Sequence, residues 1–520
     1  MNYLVNFFIF FFITNVYASE FSEKNIHLDK KCNSPVQFYA SLKKPNDLAV
    51  LFRECPKLNK YIIQSKFDSI LLAFANPTLS TPMSYFGHNF LIFKKKESLS
   101  FSKVFSYSAI INKEDTFIEL AKKSIFGGLK GRYSFTNFYN IRYEYIEKEQ
   151  RSLTLYPLNL TQKEKDLILL KAYELYNNEG IYNFFNQNCT TELLSFLSDI
   201  KTELKDSYSN SIYVQPSQLV HLFIQKKIIT IPPDILLSGI SKLHTSYYSK
   251  SISARKDIDS FFIDSKPSKV QKISNEAKYD INLISNIKFK HENQLLPSYT
   301  LINKMKFNDP EKKYAIEENI ISRTPPNQLK LGVGFLANTT LYKAAYKPTF
   351  IARQETKIND IYSGTLNLLN TELTFIESSV QISKFDLIEI ESFAKSFSQF
   401  NFYSWRFFLG SGKNFTPYGN LKWDVDFAYG KTWGAGDLQV SLLPQLSYSF
   451  NRDLVNLELF NDILWRTKFG NFNVNIIMKS KTNSKFNVEY QSKLFSSKYS
   501  FNLKYIRKYK LVELNFNSRF

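Results

Sequence analysis

From Pro326 to Phe520, apolar and polar residues take turns with a period of two, a spacing that only an extended strand turns into one apolar and one polar face. Leu421, Trp423, Val425, Phe427 and Tyr429 point one way, and Lys422, Asp424 and Asp426 the other. Leu438, Val440, Leu442, Leu446, Tyr448 and Phe450 oppose Gln439, Ser441, Gln445, Ser447 and Ser449, and Phe486, Val488 and Tyr490 oppose Asn487, Glu489 and Gln491. Short turns such as Asn451-Arg452-Asp453 and Gly470-Asn471 separate the segments. The pattern predicts an antiparallel β-barrel over residues 327–520, of about twelve strands, each roughly ten residues or more, as tilted membrane-spanning strands need. Aromatic residues at the strand ends fit interfacial girdles. A soluble β-sandwich or jelly roll also alternates and stands as the alternative.

The other end of the chain points to export. Leu4 to Val16 is apolar apart from Asn6, Thr14 and Asn15, which is shorter than the about 20 residues of a membrane helix. It closes on the small-residue pattern Val16-Tyr17-Ala18 and predicts a signal peptide over residues 1–18, with no Lys or Arg ahead of the apolar run. No cysteine follows the cleavage position, which argues against a lipoprotein anchor there, and no later apolar run has the length of a membrane helix. In the last strand Val512, Leu514, Phe516 and Phe520 face away from Glu513, Asn515, Asn517 and Arg519. A terminal Phe of this kind resembles the assembly signal of bacterial outer-membrane barrel proteins. The expected location is therefore the bacterial outer membrane, with the N-terminal part in the periplasm. The net charge of +20 reads either as a solvated surface or as affinity for anionic lipid head groups or cell-wall polymers. Export argues against nucleic acid as a partner.

Residues 19–245 mix the two periodicities, the signature of an α+β domain. Thr161-Gln162-Lys163-Glu164 reads as a capping box, followed by a helical stripe of Leu167, Ile168, Leu170, Leu175 and Tyr176. Asn89-Phe90-Leu91-Ile92-Phe93 reads as a short buried strand. Residues 246–326, rich in Lys, Ser, Asn and Asp and ending in Thr324-Pro325-Pro326, read as a connecting region, partly helical or extended.

Chemistry concentrates on one cysteine. Of the three cysteines, Cys32 and Cys55 lie near each other and can pair, which would staple the N-terminal segment by about 3 kcal/mol; two buried free thiols are the alternative. Cys189 is left over, and an odd thiol in an exported chain is a candidate nucleophile. The segment after it, Glu192 to Leu197, has helical apolar spacing, so Cys189 falls in the first turn of a helix, where free N–H groups and the dipole favour thiolate. Cysteine catalysis also needs a base and oxyanion donors. Among the five histidines, His88 stands out, preceded by Gly87 and followed by the buried strand. Taken alone, a histidine at a strand start is more often structural; the odd cysteine is what makes it a candidate base.

These residues carry a resemblance. Phe86-Gly87-His88-Asn89-Phe90-Leu91, the glycine-rich Phe126 to Tyr133, the set Tyr145, Glu149, Arg151, Tyr156 and Leu158, the segment Tyr182 to Cys189, and Leu219 to Phe223 after Val214-Gln215-Pro216 follow one another in the order of motifs found in the exported N-terminal domain of the lipoprotein intramolecular transacylase (Lnb) family. The similarity covers roughly residues 35 to 225. It implies a papain-like fold of the permuted NlpC/P60 kind, with Cys189 as nucleophile and His88 as general base. It further implies an acyl-thioester intermediate and transfer of a fatty acyl group from a glyceryl ester to an amine. Asn89 replaces the family's usual Thr, and Ile110 stands where a polar Asn is expected, so an imidazole orienter must come from elsewhere, with Ser108 and Asn188 as candidates. Oxyanion donors would be the backbone N–H groups of Cys189 and Thr190.

The leading expectation is an outer-membrane-anchored cysteine acyltransferase or lipid esterase, with membrane lipid and an acylated lipid or lipoprotein as partners. A cell-wall peptidase or amidase of NlpC/P60 type is the second reading. A non-enzymatic barrel, channel or assembly factor, is the third. No cofactor or metal is expected, since no His, Cys and carboxylate cluster shows ligand spacing. Oligomeric state is left open.

Overall fold

The computed structural model describes most of residues 55–264 and 327–519, with short breaks, together with Cys32, Pro35, Val36, Ala277 and residues 280–285. The expected signal peptide, Phe520 and most of the connecting region lie outside the described residues. Helix α1 (Pro56–Gln64) is followed by strands β1 (Ser69–Ala75), β2 (His88–Lys94), β3 (Lys103–Ile110) and β4 (Leu129–Asn137). A helical segment α2 (Phe138–Arg142) widens into π turns over Tyr143–Lys148. Then come β5 (Leu153–Pro157), α3 (Gln162–Leu175), β6 (Glu179–Tyr182), α4 (Cys189–Ser198), α5 (Pro216–Gln225), β7 (Asp234–Leu236), α6 (Gly239–Ser249) and α7 (Ile252–Asp264).

The strands form a seven-stranded sheet in the order β6-β4-β3-β2-β1-β5-β7, every pairing antiparallel. The two central strands, Ser-Ile-Leu-Leu-Ala-Phe-Ala and His-Asn-Phe-Leu-Ile-Phe-Lys, are near-continuous apolar runs because both of their faces are covered. On one face Leu71, Ala73, Phe90 and Ile92 pack with Phe138 and Ile146 of the widened helix. On the other, Phe105 meets Phe196 of α4 at 5.0 Å between ring centroids. The β1–β2 register sets Ala75 opposite His88 and Ala73 opposite Phe90, so the histidine begins the strand on the face of the widened helix. Gly87 just before it has φ +79°, and a Cβ there would lie 2.7 Å from the Phe74 ring and 2.8 Å from Ala75 O. Only glycine fits that approach.

The start of α3 has the reciprocal cap its sequence predicts: Thr161 N–H donates to Glu164 Oε2 at 2.7 Å, and Glu164 N–H to Thr161 Oγ1 at 3.3 Å. Its buried stripe is Ile168, Leu169, Leu170 and Ala172; Tyr176, expected on it, falls just past the helix and is exposed. A small separate core joins Cys55 and Leu58 to Leu170, flanked by Cys32, Val36, Leu167 and Tyr173, and a disulfide links Cys32 to Cys55. Helix α6 runs to Ser249, past the expected boundary at residue 245.

The C-terminal part is a closed barrel of twelve antiparallel strands. They are β8 (Gln328–Leu336), β9 (Thr339–Lys347), β10 (Tyr362–Ile376), β11 (Ser379–Ser396), β12 (Ser404–Gly412), β13 (Lys422–Ala435), β14 (Leu438–Ser449), β15 (Leu454–Arg466), β16 (Gly470–Lys479), β17 (Lys485–Ser492), β18 (Tyr499–Ile506) and β19 (Leu511–Arg519). Strand β9 breaks at Pro348, which has no N–H for the ladder, and resumes over Thr349–Ile351 against β10. The last strand pairs with the first from Leu511↔Leu336 to Arg519↔Gln328, which closes the ring and removes the sheet edges.

Closure sets this barrel apart from an open β-sandwich, and its polarity bears on the solvent it suits. In β14, Leu438, Val440, Leu442 and Leu446 are 45, 39, 42 and 53% exposed, while Gln439, Ser441 and Gln445 are 0, 0 and 1% exposed. A soluble sandwich would bury the first set. Here the apolar set faces outward, the arrangement that suits a hydrocarbon solvent. Charges turned inward find partners, as buried charges must. Lys343 Nζ is 2.6 Å from Glu513 and 3.2 Å from Glu372. Arg406 reaches Glu389, Glu391 and Asp426 at 3.2, 3.1 and 3.4 Å.

Two outcomes follow from these placements. Reconstituted in phospholipid vesicles, Leu442→Arg should cost about 2–4 kcal/mol in urea unfolding, since it sets a charge in hydrocarbon. Gly87→Ala should cost about 1–3 kcal/mol, read as faster amide hydrogen exchange along His88–Lys94.

Candidate functional site

Helix α4 begins where its sequence lets it cap itself. Asn188 Oδ1 accepts from the N–H groups of Thr190 (2.8 Å) and Thr191 (3.0 Å), and Thr191 Oγ1 accepts from Asn188 N–H (2.9 Å). Asn188 Nδ2 donates to Val214 O at 3.1 Å, tying the cap to the segment that leads into α5. Asn89, next to the histidine, donates from Nδ2 to Pro216 O at 2.8 Å. Carbonyls two residues apart, at the entry to α5, thus hold the helix tip and the strand start. Cys189 lies at the first position of α4, 4% exposed.

At that point the thiol meets the imidazole. Cys189 and His88 are hydrogen-bonded through their side chains, and Asn89 N–H also donates to the sulfur. Thr190 Oγ1 is 3.8 Å from Sγ. Burial pushes the thiol's pKa up, but the charge and hydrogen bond of His88, the Asn89 N–H and the Thr190 hydroxyl outweigh it, and the thiol is lowered to about 7. The Cys189 N–H bonds to the Tyr182 hydroxyl. Burial raises the pKa of that phenol, with the Cys189 charge adding to the effect, so it keeps its proton. Tyr182 is fixed by its β6 pairing with Leu129 and by stacking on Tyr107 at 5.9 Å, whose hydroxyl donates to Ile181 O at 2.8 Å.

The other candidates fall as follows. Asn188 is engaged as the cap, and the Thr190 N–H is engaged by Asn188. Ser108 is exposed on β3 opposite Arg132, three residues past the Leu91↔Phe105 pair where the β2–β3 ladder stops. Among the described residues no hydrogen bond joins Ser108 to His88. Of the other histidines, His221 pairs with Gln225 at 2.9 Å, and His27 and His291 lie outside the described residues.

Two site residues escaped the reading of chemical roles from sequence. Tyr182 was legible only as part of a motif; its hydroxyl contact depends on how β6 meets α4. Gln215, 1% exposed between Val214 and Pro216, has no hydrogen-bond partner for its side-chain amide among the described residues. A lone Gln before Pro carries no signal of that.

Comparison with known proteins bears on this geometry. Residues 57–225 match the model of the Lnb N-terminal periplasmic domain, and residues 325–504 match that of a domain of unknown function (DUF7840). A comparison with curated proteins finds no match. Among solved structures, two mutant forms of Rh. blastica porin are similar at 4% and 3% identity, each covering 37% of this chain and 98% of the porin with a TM-score of 0.17. The barrel is established by its own strand pairing, not by that likeness. The chain thus joins a segment, residues 57–225, that matches the Lnb N-terminal periplasmic domain model to a closed twelve-strand β-barrel.

Proposed function

We propose that this protein is an exported, outer-membrane-anchored cysteine acyltransferase or lipid esterase. The observation that carries the reading is the Cys189–His88 hydrogen bond at a helix N-terminus, in a chain whose barrel turns apolar residues outward. A lipid-solvated barrel keeps the domain beside acyl-bearing substrates, and the periplasmic family of residues 57–225 agrees with an exported site.

The steps need only groups present in the chain. Sγ attacks the carbonyl carbon of a glyceryl ester while His88 takes the thiol proton. The oxyanion that forms lies beside the Tyr182 hydroxyl, which accepts from Cys189 N–H and has its own proton to donate. Collapse breaks the ester C–O bond, and His88 returns the proton to the leaving alkoxide, leaving an acyl-thioester on Cys189. An amine then attacks the thioester, losing a proton to His88 as the C–S bond breaks and thiolate is restored. Water in place of the amine gives the esterase outcome.

Intact-mass spectrometry of protein from native membranes should show an acyl adduct on Cys189, absent in Cys189→Ala. An unmodified Cys189 under turnover with acylated glycerolipid would overturn the reading. His88→Gln should slow adduct formation by about 10²–10⁴. Alkylation of Cys189 should be slow below neutrality, rise with pH through about 7 and level off above it, because thiolate is the reactive form.

A further inference from the structure

Tyr145, Glu149 and Arg151 belong to the site's motifs but take no part in the steps above. The geometry points to Tyr145 as the positioning residue for His88, its ring face holding the imidazole in the orientation that an acid or amide supplies in other cysteine sites. This inference rests on the acyl-transfer reading for its catalytic consequence, though not for its geometry.

His88 and Phe90 stand two residues apart on one face of β2, and the Tyr145 ring lies nearly parallel to both. Its centroid is 6.2 Å from His88 at 17° and 5.8 Å from Phe90 at 19°. Both fall in the range of about 4.5–7 Å where offset stacking is favourable. Among the described residues no carboxylate or amide hydrogen-bonds the imidazole. A stack restrains rotation of the ring while occupying neither nitrogen, so it does not compete with the bond between His88 and Cys189.

Tyr145 is itself held from the other side. Arg151 Cζ lies 4.9 Å over the Tyr145 ring, and Arg151 N–H donates to Tyr145 O at 2.7 Å. The guanidinium is 4% exposed and donates to Asn76 O at 2.8 Å, Ala75 O at 3.2 Å and Glu149 Oε2 at 2.8 Å. Ala75 is the residue that β1 sets opposite His88. Arg151 therefore clamps the tyrosine to the strand pair that carries the base, and Glu149 offsets its charge. The π turns of Tyr143–Lys148, a helix form common at functional sites, place Tyr145 in this stack.

The charged and titratable groups bearing on the thiol are His88 from β2, Tyr145 from the π turns and Tyr182 from β6; those bearing on Tyr145 include Arg151, Glu149 and Glu144. The test compares full-length protein in detergent micelles carrying Tyr145→Phe or Tyr145→Leu. The readouts are the pH profile of Cys189 alkylation by iodoacetamide and the rate of acyl-adduct formation. Tyr145→Phe keeps the stack and should match the wild type in both. Tyr145→Leu should move the alkylation midpoint up by about one pH unit, towards an ordinary thiol near about 8.5, and slow adduct formation about tenfold. If Tyr145→Leu does not fold, Tyr145→Met, another unbranched apolar replacement, takes its place. A wild-type profile and rate in the Leu or Met variant, or an equal loss in Tyr145→Phe, overturns the inference. Shifted profiles in a protein that never carries an acyl group would instead sink the acyl-transfer reading and leave the stacking intact.

Discussion

A thiolate buried to within 4% of full enclosure persists only if something repays the loss of water. At Cys189 that is done by a positive helix tip, a backbone N–H from the neighbouring strand, and an imidazole. The last two come from the start of β2 and the first from α4, so the site exists only when those two elements are in register. The loop around Gln215 enforces that register, since Val214 O takes the Asn188 amide and Pro216 O takes the Asn89 amide. The thiol and the imidazole are thereby tied to one short stretch of backbone, which is why a site drawn from distant parts of the chain can hold hydrogen-bonding geometry.

The outward apolar faces of the barrel suit the opposite solvent. Hydrocarbon cannot hydrogen-bond, so every backbone group must be paired within the sheet and the polar side chains must turn inward. Closure from β19 to β8 meets the first demand. The ion pairs of Lys343 and Arg406 show how the second is met without stranding a charge. The same alternating sequence can satisfy water or lipid; which face is buried distinguishes them, and only closure settles which face that is.

Much of this was legible locally. The Thr161–Glu164 cap, the buried strand at Asn89–Phe93 and the helix starting at Cys189 each depend on residues within a turn or two, where backbone donors and short side chains dictate the outcome. The alternating strands were countable to about twelve because strand period is local as well. The stacking of Tyr145 on His88 was not legible. It joins residues 57 positions apart through a register between β1 and β2 and a widened helix that no periodicity announces. Nor was the commitment of the Thr190 N–H to Asn188, since a cap and an oxyanion donor draw on the same atoms.

By itself, the sequence determined the two periodicities, the helix-tip cysteine, the glycine before the histidine and the order of the motifs, because these are short-range consequences of side-chain shape and hydrogen-bonding capacity. Tertiary structure alone decided that the apolar strand faces look outward, that the phenol of Tyr182 takes the Cys189 N–H, and that an aromatic plate backed by Arg151 lies against the imidazole. Those outcomes depend on which surfaces meet when the sheet and the barrel close, and contacts between distant segments are set by packing and solvent rather than by the spacing of residues along the chain.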